Sequence, residues 1–129
     1  MATRMASRLQ EFFEKQADGT LRSIVNYEPD AFEITYLRAD ITEQYTPSEI
    51  ESAIDESRME SLSAPIYEDT YSEDHGDLTC IVQCFESVIE MNFVLEDGVG
   101  AAVALDEEAM ADAQGLVAEA RKIVIEERQ

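Results

Sequence analysis

Apolar positions recur along this chain with two different periods, and the changes between them mark out its elements. From Thr3 to Ala17, Met5, Leu9, Phe12 and Phe13 fall at helical spacing, with Arg8, Glu11, Glu14 and Lys15 elsewhere on the turn. That spacing predicts an amphipathic helix of about four turns, closed by Asp18-Gly19. From Thr20 to Tyr27 the period falls to two. Leu21, Ser23, Val25 and Tyr27 are expected on one face, and Arg22, Ile24 and Asn26 on the other. Glu28-Pro29-Asp30-Ala31 reads as a turn, and Phe32 to Arg38 returns as a second β-branched and aromatic run. Two such runs around a short turn predict a hairpin.

Thr46-Pro47-Ser48-Glu49 is the clearest local signal. Thr46 is a capping residue, Pro47 suits the first helical position, and Glu49 completes a capping box. The helix behind it places Ile50, Ala53, Ile54 and Ser57 on one narrow face and ends near Leu62, before Pro65. It is expected to lie on the sheet with most of its circumference in water. Ile66-Tyr67 has the residue types of a strand start, but Glu68 to Asp77 is mostly acidic and polar and reads as a loop or ragged edge. Three strands follow, Leu78 to Phe85, Val88 to Leu95 and Val99 to Leu105, joined by the turns Glu86-Ser87 and Glu96-Asp97-Gly98 into a meander. Asp106 is expected to cap a last helix from about Glu107 to Glu126, with Met110, Ala113, Val117, Ala120 and Val124 as its stripe and Leu116 and Ile123 widening it. The order α-β-β-α-β-β-β-α predicts one α+β domain over residues 1–129, with its core between about residues 3 and 126. Its fold class is a five-stranded antiparallel sheet with helices packed on its faces.

Charge changes the picture of the surroundings more than that of the fold. The chain has 129 residues, 29 acidic groups and 9 basic ones, for a formal net charge of −20. Nucleic acid is excluded as an expected partner, because phosphate binding needs a basic face. Anionic membrane surfaces are excluded on the same ground, and neither a membrane span nor a secretory leader is expected. Disorder is not the reading of the acidity, since 45% of residues are hydrophobic and they sit in periodic runs. Lys15 and Lys122 are the only lysines, while the other seven basic residues are arginines. Lysine scarcity beside excess Asp and Glu points to a halophile's cytoplasm, with high K+ or Na+ as the solvent. At about 1 M salt the Debye length is near 3 Å, so self-repulsion is largely screened.

Candidate chemistry is sparse. Cys80 and Cys84 are four residues apart, which on a strand is about 13 Å at ~3.3 Å per residue. A disulfide needs Cα atoms within about 7 Å, so both are expected as small buried core residues in a reducing cytoplasm. His75 is the only histidine and lies among Asp69, Asp74 and Asp77. Carboxylates with an imidazole can hold a divalent ion, which makes these four residues the weak metal candidates and the segment 68–77 the site of an alternative ligand- or metal-binding reading. Gly98-Val99-Gly100 lies between two strands, so its glycines serve a turn and not a phosphate cradle. With one histidine, no nucleophile–base pair can be named, and neither enzyme activity nor a cofactor is expected. Arg22 and Arg38, each the cation of a hairpin strand, are expected to pair with local carboxylates across the sheet; they are also the candidate recognition residues.

The segments Leu21-Arg22-Ser23-Ile24-Val25-Asn26-Tyr27 and Tyr36-Leu37-Arg38-Ala39-Asp40-Ile41, followed by a meander and a closing helix, resemble a family of small acidic haloarchaeal proteins. The resemblance covers about residues 20–125 and carries no catalytic or binding residues with it. The order of elements is similar to that of the roadblock and longin group of profilin-like domains. That similarity implies a five-stranded antiparallel sheet interrupted by a helix after its second strand, and members of that group commonly dimerise and act as adaptors or regulators of small GTPases. The resulting expectation is a non-enzymatic cytoplasmic regulatory or adaptor module acting through protein–protein contacts, as a homo-oligomer or with a protein partner.

Overall fold

The five extended runs meet in one antiparallel sheet. The computed structural model describes residues 2–129, and the side chains of all of these except residues 71–73. Strands β1 (Leu21–Glu28), β2 (Ala31–Leu37), β3 (Cys80–Cys84), β4 (Val88–Glu96) and β5 (Val99–Asp106) are arranged in the order β2-β1-β5-β4-β3. The hairpin β1–β2 and the meander β3–β4–β5 are therefore joined side by side through the β1–β5 pair, with Ile24 facing Val103 and Tyr27 facing Gly100. The fold is α+β, as the order of elements predicted.

Helix α1 (Thr3–Gln16) buries Met5, Ala6, Leu9 and Phe13. It packs beside α5 (Ala113–Glu127) on one face of the sheet, over Ile89, Met91, Phe93, Val103 and Leu105. Phe13 lies 6.2 Å from Phe93, ring to ring. Arg8 ties the two helices together by donating from Nη1 to Glu127 at 2.9 Å. Helix α3 (Pro47–Leu62) lies on the opposite face and buries only Ile54 and Ser61. The capping box around Thr46 is complete, with Glu49 N–H donating to Thr46 Oγ1 at 3.2 Å and Thr46 N–H to Glu49 Oε1 at 3.0 Å. Its thin apolar stripe leaves most of α3 in water, as expected.

Three local readings are corrected, and one helix is added. The acidic segment expected as a loop is helix α4 (Ala64–His75), reached from α3 through Ser63 alone, whose backbone is itself helical at φ −85° and ψ −9°. Its polar character runs all round, so no periodicity marks it. A further short helix, α2 (Ala39–Gln44), follows β2 and buries Ile41. Strict alternation fails in β1, because the register against β5 shifts between Leu21 and Ser23 and leaves Arg22 as an extra residue. That residue turns the strand over, so Leu21 and Ile24 face α1 and α5 while Val25 and Tyr27 face α3; a second shift, opposite Ile24 and Val25, has its extra residue, Thr35, in β2. The last predicted helix begins as a 3-10 turn over Glu107–Asp112. At about three residues per turn the stripe rotates, burying Ala109 and leaving Met110 exposed.

Candidate interaction surface

Helix α3 is fastened to the sheet at its C-terminal half by a buried polar network. Asn92, in the middle of β4, accepts from the Tyr27 hydroxyl at 2.5 Å, and its amide donates to Ser57 O at 2.9 Å and Glu60 Oε1 at 3.0 Å. Ser61 Oγ accepts from Gly98 N–H at 3.1 Å and donates to Arg58 O. Burial pushes the Tyr27 phenol up to about 12, against the opposing pull of its bonds to Ser61 and Asn92. Tyr27 crosses Gly100 so closely that a Cβ there would stand 2.5 Å from the hydroxyl and 2.4 Å from Phe93 O. The glycine is thus required by this approach and by no phosphate. Arg58 completes the fastening by donating to Glu28 O at 2.7 Å and Ala31 O at 3.0 Å, across the β1–β2 turn.

The N-terminal half of α3 stands off instead. On the sheet beneath it lie small side chains, Ser23, Ala102 and Ala104, and on the helix above lie Ala53 and Ser57; a groove of about 790 Å³ runs between them. Leu37, Ile41, Tyr45 and Ile50 give it an apolar end, and Phe85 and Val88 form the other side. Glu90 rises from its floor. Burial is the main cause that holds its carboxyl above the ordinary value, and neighbouring Glu60 and Glu56 act in the same direction against Arg22. The groove can accept apolar side chains along its trough and a cation at Glu90.

Arg22 and Arg38 do come together, on one acceptor. Asp106 takes Arg22 Nη1 at 3.1 Å and Arg38 Nη1 and Nη2 at 2.6 and 3.1 Å. Arg38 also reaches Asp40 through Nε at 2.7 Å and Nη2 at 3.1 Å, and Gly19 O through Nη1 at 3.2 Å. All five of its N–H donors are thereby directed at protein acceptors. The guanidiniums, Arg38 first, hold the Asp106 carboxyl below the usual carboxylate range. Asp106 is not the helix cap expected of it, since its side chain makes no capping bond. Arg22 remains at one end of the groove, while Arg38 is spent on the fold.

A family model described as "Domain of unknown function (DUF7522)" matches residues 7–124. The chain belongs to the DUF7522 family. No curated protein and no solved structure matches this DUF7522 chain.

The remaining candidates are dispersed. Helix α4 carries Asp69, Asp74 and His75, with Asp77 just beyond it, and among the described residues no three metal-ligating side chains form a group. Cys80 is partly buried and its thiol is pushed up to about 12, chiefly by burial. Cys84 is exposed, against the expectation that both cysteines are core residues, because β3 is the edge strand. Among the described residues no helix is long and apolar enough to cross a membrane. Asn92 and Glu90 were missed in the sequence, although polar residues inside the run Val88–Leu95 were the available signal.

Proposed function

We propose that this DUF7522 protein is a non-enzymatic interaction module of a halophile's cytoplasm, regulatory or adaptor in role, which receives a protein partner on its α3 face. The groove under the free half of α3 carries this reading: a helix pinned at one end over small side chains leaves an apolar trough open to solvent. The sheet order, with helices between its second and third strands, supports the likeness to the roadblock and longin group and the adaptor role that the likeness implies. The excess of acids over 2 lysines supports the halophilic setting.

Capture from native lysate in 2 M KCl tests it. Ala53 is exposed and lines the groove, so Ala53→Trp fills the trough without touching the core. The expected result is a stoichiometric protein retained by the wild type and lost with Ala53→Trp at an unchanged melting temperature. An identical set of retained proteins for both variants removes the groove as the binding surface.

A further inference from the structure

Glu90 is a carboxylate that the groove does not neutralise. It stands half-buried on β4, opposite Gln83 of β3 on one side and Ala104 of β5 on the other. Ala104 is too short to cover it, and the donors beside it are engaged elsewhere. Gln83 Nε2 donates to Glu60 Oε2 at 3.0 Å, and Asn92 Nδ2 donates to Glu60 Oε1 at 3.0 Å. Arg22, the one basic residue lining the groove, gives its Nη1 to Asp106 at 3.1 Å. Among the described residues Glu90 accepts no hydrogen bond and joins no ion pair.

A carboxylate taken partly out of water without a donor works against the fold that holds it. Burial, Glu60 and Glu56 all favour its neutral form. Its setting narrows what could pair with it. Three more carboxylates, Glu49, Glu56 and Glu86, stand exposed around the groove, and two exposed aromatic side chains, Tyr45 and Phe85, line it as well. At about 1 M salt exposed charges are screened within about 3 Å, whereas a partly buried one is screened much less. In molar salt Glu90 is therefore the charge that discriminates between guests.

We infer that the partner segment received by the groove carries an arginine flanked by apolar side chains, its guanidinium paired with Glu90 and its neighbours seated along the trough. Charge complementarity selects this occupant. Four acids line the groove against one arginine that is already committed, so an acidic segment is repelled, and a second copy of this chain, of net charge −20, is disfavoured. Arginine fits better than lysine, because its guanidinium is weakly hydrated and gives a carboxylate two parallel bonds. Leu37, Ile41 and Ile50 on one side and Val88 on the other receive the apolar neighbours. The inference rests on the reading that a protein partner enters this groove. Its test uses defined peptides and a change at Glu90, so the selection by charge can fail while the Ala53→Trp result stands.

The probes are the peptide acetyl-Ala-Leu-Arg-Leu-Ala-amide and its counterparts with glutamine or glutamate at the centre. Each is titrated into the isotope-labelled full chain in 2 M KCl and followed by amide NMR shifts. The arginine peptide is expected to move the amides of Glu90, Ala102 and Ala104 and to bind about tenfold more tightly than the glutamine peptide. The glutamate peptide is expected to bind most weakly. In Glu90→Gln the arginine peptide is expected to fall to the affinity of the glutamine peptide. The melting temperature of that variant is expected to equal or exceed the wild type's, since an uncompensated charge is removed; a lower one would make Glu90 part of the fold and overturn the inference. Equal affinity for the arginine and glutamine peptides, or binding of none of the three, overturns it on the wild type alone. So does hexylguanidinium binding as tightly as the arginine peptide, which would name a small cation as the guest. A wild-type dimer in light scattering that Glu90→Gln dissociates would name a second copy and overturn it too.

Discussion

Asp106 sits where β5 ends, and its carboxylate gathers two of the seven arginines of a chain with few cations. The other arginines with long-range bonds are likewise committed: Arg8 joins α1 to α5, Arg58 holds the β1–β2 turn, and Arg128 donates to Leu78 O, Val94 O and Leu95 O. Guanidiniums suit this work because their donors fan out in a plane and reach several acceptors at once. Asp106→Asn removes the charge both partners answer to. Hydrogen bonds to charged groups are worth about 1.5–3 kcal/mol, and these side chains keep 13–24% of their surface in water. The expected loss is about 2 kcal/mol, measured by denaturant unfolding in 2 M KCl. The pH dependence has a fixed sign. The folded carboxyl lies below its unfolded value, so the pairing stabilises fully above that unfolded value, about 3.9, and is lost as pH falls through the lowered folded one. Wild type and Asp106→Asn should therefore differ at neutral pH and converge in acid, and a constant gap down to pH 2 would contradict the pairing.

Helix α3 is held by different means at its two ends, and that division makes the groove. The C-terminal half is fixed by Ile54, Ser61 and the Asn92 network, while the N-terminal half depends on its cap. Thr46→Ala breaks the capping box and should cost about 1 kcal/mol. Hydrogen exchange should accelerate over residues 47–53 and stay unchanged over residues 57–61; uniform acceleration would mean that the helix is anchored along its whole length. This helix was legible in the sequence because its cap, proline and stripe agree. Helix α4 was not, since Glu68, Asp69 and Asp74 put charge on every side, and Pro65, which reads as a stop, sits in its first turn, where no intrahelical N–H bond is lost. The order of strands in the sheet and the groove were illegible for another reason. Convergence of Arg22 and Arg38 on Asp106 spans 84 and 68 residues of sequence, and which strands become neighbours is settled by packing on both faces, not by local spacing. A bulge was equally hidden, because Leu21 to Tyr27 alternates well enough to pass for a regular strand while the extra residue Arg22 sets Leu21 on the face opposite to Val25 and Tyr27.

Across the molecule, 29 acidic side chains face 9 basic ones, and most of those basic groups are already engaged by named acceptors. The uncompensated carboxylates repel one another through solvent, which favours expansion of the chain. Added salt acts on two opposed sets of interactions. It weakens the ion pairs, but the Arg22–Asp106 and Arg38–Asp106 contacts are partly shielded from water and are screened less than exposed charges. It weakens the repulsion among exposed acids in full, and these are the larger set, so the net effect of salt is stabilising. Relief of about 3 kcal/mol of self-repulsion would raise the melting temperature by on the order of 10 °C for a domain of this size. The shape of the response separates screening from simple salting-out. The Debye length falls from about 10 Å at 0.1 M to about 3 Å at 1 M, so the rise should be steepest below about 0.5 M KCl and flatten above it. Salting-out of apolar surface would instead grow steadily into the molar range. Equal melting temperatures in 0.05 M and 2 M KCl would show that the acidic surface has no bearing on the fold, and the halophilic reading would fall with it.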